Sequence, residues 1–287
     1  MAARFTKATP NPRSLFALWR LYAKMDLVWI SRDFRSAIFF YVAELIQKIA
    51  AVSGVILLAE RFAGLGQWSK PQVIFMLGYT MLGIGLLDTF FNYNVSYVSR
   101  RIGRGQFDHT LIQPRPLWVI LVTEGFTPFT GSVVFLPGAA LVLWSVGRLE
   151  LNIGPLWIAQ FGVNLLASAA ITLAFSSLWG CLAFWAPRAA EEISMSALQL
   201  IDQLRPFPLD GLAPVLVGGL LTAVPAGFVG WFPARALLGL DQAPGAHWAT
   251  PAAALMFGAI AAWTFAKGLK QYGRTGSQRY SSFGHRR

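Results

Sequence analysis

The sequence predicts an all-α polytopic protein that crosses a membrane six times, and three observations carry that expectation. The 287 residues are 55% hydrophobic and only 13% charged, with mean hydropathy +0.51, whereas soluble domains carry about 25% charged residues. Charge-free runs at Gly125–Gly147, Leu151–Pro187, Gly211–Ala234 and Gln242–Ala266 each pass the roughly 18 residues that mark a membrane-spanning helix. A transmembrane barrel would instead alternate over about 10 residues. The third observation is where the positive charge lies. Of 24 Lys and Arg residues, all but Lys48, Arg61, Lys70, Arg148 and Arg235 fall in the first 36 residues, in the segment 99–116, at Arg188 and Arg205, or after Ala266. The two sets alternate across six spans, so the positive-inside rule puts both termini and the Arg-rich segment in the cytoplasm. Orientation therefore accounts for the net charge of +11, and no nucleic-acid partner is expected.

Each element follows from local pattern. The cytoplasmic N-terminus, 1–36, begins with a polar stretch holding Pro10 and Pro12. Leu15, Leu18, Trp19, Tyr22, Met25 and Trp29 then recur at helical spacing opposite Arg13, Arg20 and Lys24, the pattern of an interfacial helix on the inner leaflet. No apolar core with a small-residue cleavage site occurs in the first 30 residues, so no cleavable signal peptide is expected. The membrane domain is read as 37–268. Span one, Ala37–Ala59, holds Glu44 and Lys48 in the favourable acid-first i,i+4 order, and Trp68 follows as an interface anchor. Span two, Gln72–Val98, offers Gly78, Gly83 and Gly85 as a small-residue face and carries Asp88, Asn92 and Asn94. Span three, Leu117–Val146, contains Glu124, and Pro128 and Pro137 predict a kink. Span four follows Pro155, which suits a first helical turn, and reaches Trp185; 31 residues would measure about 46 Å against a hydrocarbon core of ~30 Å. Residues 186–210 return to polar character, with Arg188, Glu191, Glu192, Asp202 and Arg205, and are expected as a cytoplasmic loop. Span five is expected at Gly211–Val224, with a short re-entrant or outer helical piece at Gly227–Leu240, because Pro214, Pro225 and Pro233 interrupt this run. Span six, Trp248–Ala266, leads to a basic cytoplasmic tail, 269–287.

Little in the chain points to chemistry of its own. There is no G-x-x-x-x-G-K-[ST] for nucleotide phosphates and no H-E-x-x-H, and His109, His247 and His285 are scattered. Gly103-Arg104-Gly105 lacks the third glycine and the strand of a dinucleotide fingerprint. Cys181 is single and lies in an apolar run, so neither a disulfide nor a zinc site follows. The acid pair Glu191-Glu192 has no nearby partner for magnesium. Three carboxylates inside spans remain: Glu44, Asp88 and Glu124 sit about 7 to 10 residues from the cytoplasmic ends, or roughly 10 to 15 Å deep. Each costs on the order of 2.5 to 3.5 kcal/mol on insertion. They read either as an acidic inner vestibule that favours cations or as members of interhelical hydrogen bonds and ion pairs.

The chain is organised around Ser99-Arg100-Arg101-Ile102-Gly103-Arg104-Gly105-Gln106-Phe107-Asp108-His109-Thr110-Leu111-Ile112-Gln113-Pro114-Arg115-Pro116, which has four arginines and one acid. Phe107 and Leu111, four apart, make an apolar stripe; Gly105 loosens its start, Pro114 stops the turn, and Arg104 with Asp108 can fix orientation by charge. This segment resembles the R-x-G-x-[FL]-D-x-x-L-[IL]-x-P pattern of ABC-2 type exporter permeases, in particular the uncharacterised and viologen-exporter-like ones. Pro206-Phe207-Pro208 and Gly230-Trp231-Phe232-Pro233-Ala234-Arg235-Ala236-Leu237-Leu238-Gly239 resemble a second motif of that family, with Phe232 where the family has Tyr. The resemblance runs from about residue 15 to 270.

The resemblance implies an elbow helix before span one, a coupling helix after span two and a translocation pathway lined by spans one, two and five. It further implies a multi-pass protein of a bacterial-type inner or plasma membrane. The partners implied are an ABC ATPase subunit, two copies per complex, holding the ATP and magnesium, and a second permease chain, the same or different. Membrane lipids surround the assembly. This chain would then be no enzyme and would hold no cofactor. The ATPase-coupling residues expected are Arg101, Arg104, Gly105, Phe107, Asp108, Leu111 and Pro114. The intramembrane polar residues of the pathway are Glu44, Lys48, Asp88, Asn92 and Glu124. Two other readings compete: a membrane scaffold or assembly subunit, whose loop variants would lose complex formation without loss of ATP-dependent flux, and a lipid-modifying enzyme, which would turn over without an ATPase.

Overall fold

The computed structural model describes residues 12–61, 67–91, 98–241 and 243–276, and the regular structure among them is helical. Four helices are long and apolar enough to cross a membrane: α2 (Phe34–Arg61), α3 (Lys70–Phe91), α8 with its 3-10 extension (Pro155–Phe184) and α13 (Ala246–Thr275). A multi-pass membrane protein follows from these helices. The last outruns its expected limit at Ala266, because Lys267, Lys270 and Arg274 are good helix formers that carry the helix on beyond the apolar run.

The first helix, α1 (Pro12–Arg32), joins α2 at Asp33, which accepts the Ser36 N–H at 3.2 Å as an N-cap. The Ser36 hydroxyl and then its backbone N–H hold the Asp33 carboxyl below the usual carboxylate range. α3 is the buried axis of the molecule, enclosed from Val73 to Gly83. It lies directly against the chain of α7 (Phe135–Val146). A Cβ on Gly78 would sit 2.8 Å from the Val142 nitrogen, one on Gly85 2.7 Å from the Phe135 Cα, and one on Gly138 2.8 Å from the Met81 Cβ. Backbones this close are the usual way helices associate without a hydrophobic drive. Gly83, expected on the same face, meets only a Leu165 methyl at 3.9 Å.

The third apolar run is broken, where the prolines predict a kink. It consists of α6 (Leu117–Thr123), an irregular stretch, a 3-10 turn (Gly131–Val133) and α7. Pro128 cannot donate and turns Thr127 away from helical geometry. The freed groups are answered from outside: the Thr127 N–H donates to the Thr89 carbonyl at 2.8 Å, and its hydroxyl donates to the Asp88 carbonyl at 3.1 Å. Asp26 of α1 accepts the Phe129 N–H at 2.8 Å, the Thr130 N–H at 3.1 Å and the Thr130 hydroxyl at 2.9 Å. Irregular backbone at such depth needs partners of this kind. Pro137 causes no break, because it lies in the first turn of α7.

A larger correction concerns residues 186–224. The polar stretch expected as a loop is a helix, α9 (Pro187–Leu204). The run expected as span five yields only α10 (Pro214–Thr222), nine residues or about 13 Å, too short for a ~30 Å core. α9 begins beside α4 (Val98–Gly103), where the Arg100 Nε donates to Glu191 at 2.6 Å. Beyond its end, Asp210 accepts from the Trp68 indole, just before α3 starts. The chain between Glu191 and Asp210 therefore passes α3 from one end to the other.

From Asp210 the chain dips into the bundle and returns. α10 leads to α11 (Ala226–Val229), where the Phe228 carbonyl accepts from Ser168 at 2.9 Å, about 20 Å along α8 from Pro155. α12 (Trp231–Leu237) climbs back until the Leu237 carbonyl accepts from the Trp157 indole at 2.9 Å. The helical piece expected at Gly227–Leu240 is therefore present as α11 and α12, and the run expected as span five contributes only the short α10 that leads into it. The core follows the same plan: one cluster gathers Trp68, Phe75, Tyr79, Val142 and Trp231 at the Trp68 end, and another gathers Ile102, Phe107, Phe184 and Tyr272 at the opposite end.

Candidate functional site

The segment after α3 folds as α4, a turn, and α5 (Phe107–Leu111). α4 ends in a Schellman cap, with Gln106 N–H to the Arg101 carbonyl at 2.9 Å and Gly105 N–H to the Ile102 carbonyl at 3.0 Å. That cap requires the left-handed backbone of Gly105, φ 71°, where a Cβ would cost about 1 kcal/mol.

The segment has two faces. Inward, Phe107 is 0% exposed and stands edge-on to Tyr272, Phe184 and Phe265 at centroid distances of 5.6, 5.8 and 6.4 Å. Asp108 accepts from the Tyr272 hydroxyl at 2.5 Å. Arg101 donates to Glu124 at 2.7 Å, and the Gln113 amide donates to the other oxygen of that carboxylate at 3.2 Å. Arg100 pairs with Glu191. Burial first, and the neighbouring Glu124 carboxylate second, raises the phenol of Tyr22 on α1. Outward lie Arg104, Gln106, His109, Pro114 and Arg115, together with Ile112, 78% exposed.

This arrangement corrects the apolar stripe. Phe107 cannot meet another protein while it fills the core of its own chain, and Leu111 is half-buried against the same cluster. Arg101 and Asp108 also spend their charge on internal partners. Among the expected coupling residues, Arg104 and Pro114 are the ones that face out. Ile112 lies outside the expected coupling set, although it fills the [IL] place of the quoted pattern, two residues before Pro114.

The intramembrane acids separate. Glu44 and Asp88 share a cavity of about 290 Å³ formed by α2, α3, the break in the third run, α8 and α9. Asp202 and Arg205 join them there, 3.1 Å apart, so Arg205, counted from its position as a loop residue, is in fact buried. Glu124 lies elsewhere, in the Arg101 pair. Asn92 and Asn94 lie outside the described residues, as does the side chain of Lys48. At the Trp68 end, Asp210 is a hub that sequence reading missed. It accepts from the indoles of Trp68 and of Trp231, the latter at 2.6 Å, and from Arg235, whose guanidinium lies 5.1 Å above the Trp231 ring. The second motif thus supplies two of the three groups that clasp this carboxylate.

No curated protein and no solved structure matched the chain. The family model described as ABC-2 family transporter protein matches residues 45–276. That range takes in the two-faced segment, the Asp210 hub and the cavity apart from Phe40 and Glu44. The family supplies the permeases of ABC transporters, which work with separate ABC ATPases, and this chain belongs to it.

Proposed function

We propose that this chain is one of two permease subunits of an ABC exporter, driven by two copies of a separate ATPase that dock on the segment 99–116. The second permease is either another copy or a related chain, and both termini face the cytoplasm. The observation that carries this reading is the construction of the segment. Its inner face is fastened to α6 by Glu124, to α9 by Glu191 and to α13 by Tyr272. Its outer face offers Arg104, His109, Ile112, Pro114 and Arg115. A push on the outer face is then delivered to three membrane helices at once, which is what a coupling element must do. ATP hydrolysis belongs to the partner, since the sequence has no P-loop.

In this reading the six crossings are α2, α3, the α6–α7 run, α8, α9 and α13, with α1 as the elbow helix. The pathway lies along α2, α3 and α9, whose Glu44, Asp88 and Asp202 meet in the cavity; α9 supplies the polar face, with Gln199 beside them. The second permease closes the other side. Outward transport is the direction that agrees with the resemblance of both motifs to exporter permeases.

Replacing Ile112 with Asp and Arg104 with Glu tests the docking. The variant is expected to insert and melt like the parent, yet to lose co-purification with the ATPase and ATP-dependent transport. Retention of both by a correctly inserted variant would overturn the proposal.

A further inference from the structure

The last helix, α13, has one side packed and one side bare. Phe265, Leu269 and Tyr272 join the cluster around Phe107 and Phe184, and a Cβ on Gly268 would strike the Phe184 ring. On the opposite side Met256, Ile260, Trp263, Lys267, Lys270 and Arg274 are all exposed. Their spacing of alternately four and three residues keeps them within about 40° of one line along the helix. The strip changes character once, at Trp263: it is apolar before that residue and basic after it.

The basic half has no counter-charge of its own. Residues 246–275 contain no Asp or Glu, and among the described residues no carboxylate pairs with Lys267, Lys270 or Arg274. The Lys267 ammonium lies 3.6 Å from the centroid of the Trp263 ring, a contact that attracts but neutralises nothing. An exposed tryptophan at the end of an apolar run belongs at the membrane interface. Lys267 and Lys270 start about 6 and 10 Å beyond it, and their long stems reach back into a headgroup layer roughly 5–7 Å thick. Orientation by charge requires only that these residues be basic. It does not require that they share one line with an indole and two apolar side chains.

We propose that this strip binds one anionic phospholipid, its phosphate between Lys267 and Lys270, its glycerol at Trp263 and an acyl chain along Ile260 and Met256. The two ammonium groups only donate, and the phosphate supplies both the acceptors and the missing charge. A zwitterionic headgroup would bring a second cation up to Arg274, and like charges repel. A soluble phosphate would leave the apolar half uncovered. The opposite side of the same turns holds Tyr272 on Asp108 at 2.5 Å, so the lipid steadies the helix end on which the 99–116 segment rests. The proposal does not depend on ATPase docking.

The test uses the purified full-length chain in phosphatidylcholine vesicles with rising mole fractions of brominated phosphatidylglycerol or brominated phosphatidylcholine. Bromine quenches nearby tryptophan, and the signal of Trp263 is the difference between each protein and its Trp263→Phe counterpart. Half-saturation by phosphatidylglycerol is expected at a mole fraction at least about fivefold lower, the effect of one basic side chain near an anionic surface. Lys267→Gln together with Lys270→Gln is expected to abolish that preference. Arg32→Gln together with Arg35→Gln, the same loss of charge at exposed residues elsewhere, is expected to keep it. Equal half-saturation on the parent, which needs no variant to fold, overturns the proposal. So does a preference that survives the two lysine substitutions. Displacement of the brominated lipid by inorganic phosphate means a soluble-anion site and overturns the lipid assignment. Absence of lipid preference in the parent, with ATPase co-purification lost in the lysine variant, would give the strip to the ATPase instead.

Discussion

Phe107 and Ile112 are five residues apart and face opposite ways, and the difference defines what each does. Phe107 fills an aromatic pocket of its own chain, so Phe107→Ala is expected to destabilise the isolated permease by about 3 kcal/mol or more. A fall in Tm of on the order of 6 °C in detergent, with no ATPase present, checks this; an unchanged Tm would contradict the burial. Ile112 touches little of its own chain, which is why the docking test uses it. The sequence marks this segment as the polar centre of the molecule, but its apolar stripe faces its own chain and not a partner. Helical spacing tells which residues share a face, and only the position of Phe184, Phe265 and Tyr272, more than 70 residues away in the chain, tells which face is covered. Asp210 went unnoticed for a related reason: nothing within its own stretch reveals that Trp68, Trp231 and Arg235 converge on it.

At the scale of elements, glycine separates contact from propensity. Gly85 and Gly258 both lie inside helices, but a Cβ on Gly85 would strike the Phe135 backbone, while one on Gly258 meets nothing within 4 Å. Gly258→Ala is therefore expected to raise stability by roughly 0.5–1 kcal/mol. Gly85→Ala is expected to lower it despite the same propensity gain, because the α3–α7 contact must open. Thermal melts of the two variants side by side give opposite signs of ΔTm, and equal signs would mean that α3 and α7 do not lie backbone to backbone. Here the sequence was partly legible. The small-residue face on α3 was visible, and Gly78 and Gly85 use it, but Gly83 does not, and the partners Gly131 and Gly138 emerge only when the two helices are brought together. The break at Pro128 was visible as a disturbance. Its extent depended on Asp26 and the carbonyls of Asp88 and Thr89, which make an unwound stretch affordable.

At the scale of the whole molecule, the proposed crossing by α9 can be tested from outside the cell. If α9 crosses, Leu212, exposed beyond its end, lies on the outer side, opposite the 99–116 segment. Cys181 is buried and gives little background labelling. A Leu212→Cys variant is expected to react with an impermeant maleimide added to intact cells, while an Arg115→Cys variant reacts only after permeabilisation. Labelling of both only after permeabilisation would restore residues 186–210 to a cytoplasmic loop. The misreading had a physical cause. α9 places Ala190, Ser194, Ile201 and Leu204 inward and Glu192, Ser196 and Gln203 outward, so its apolar and polar residues nearly cancel in any average along the chain. A helix with two such faces loses the apolar signal by which membrane helices are recognised.

Hydropathy and charge are sums over neighbouring residues, and they alone determined that this chain lives in a membrane and that its polar centre lies at 99–116. Which face of that centre is open, which acids share a cavity and what α9 packs against were decided by the tertiary structure. Those properties depend on residues far apart in sequence, and a buried charge or ring is defined by what packs against it.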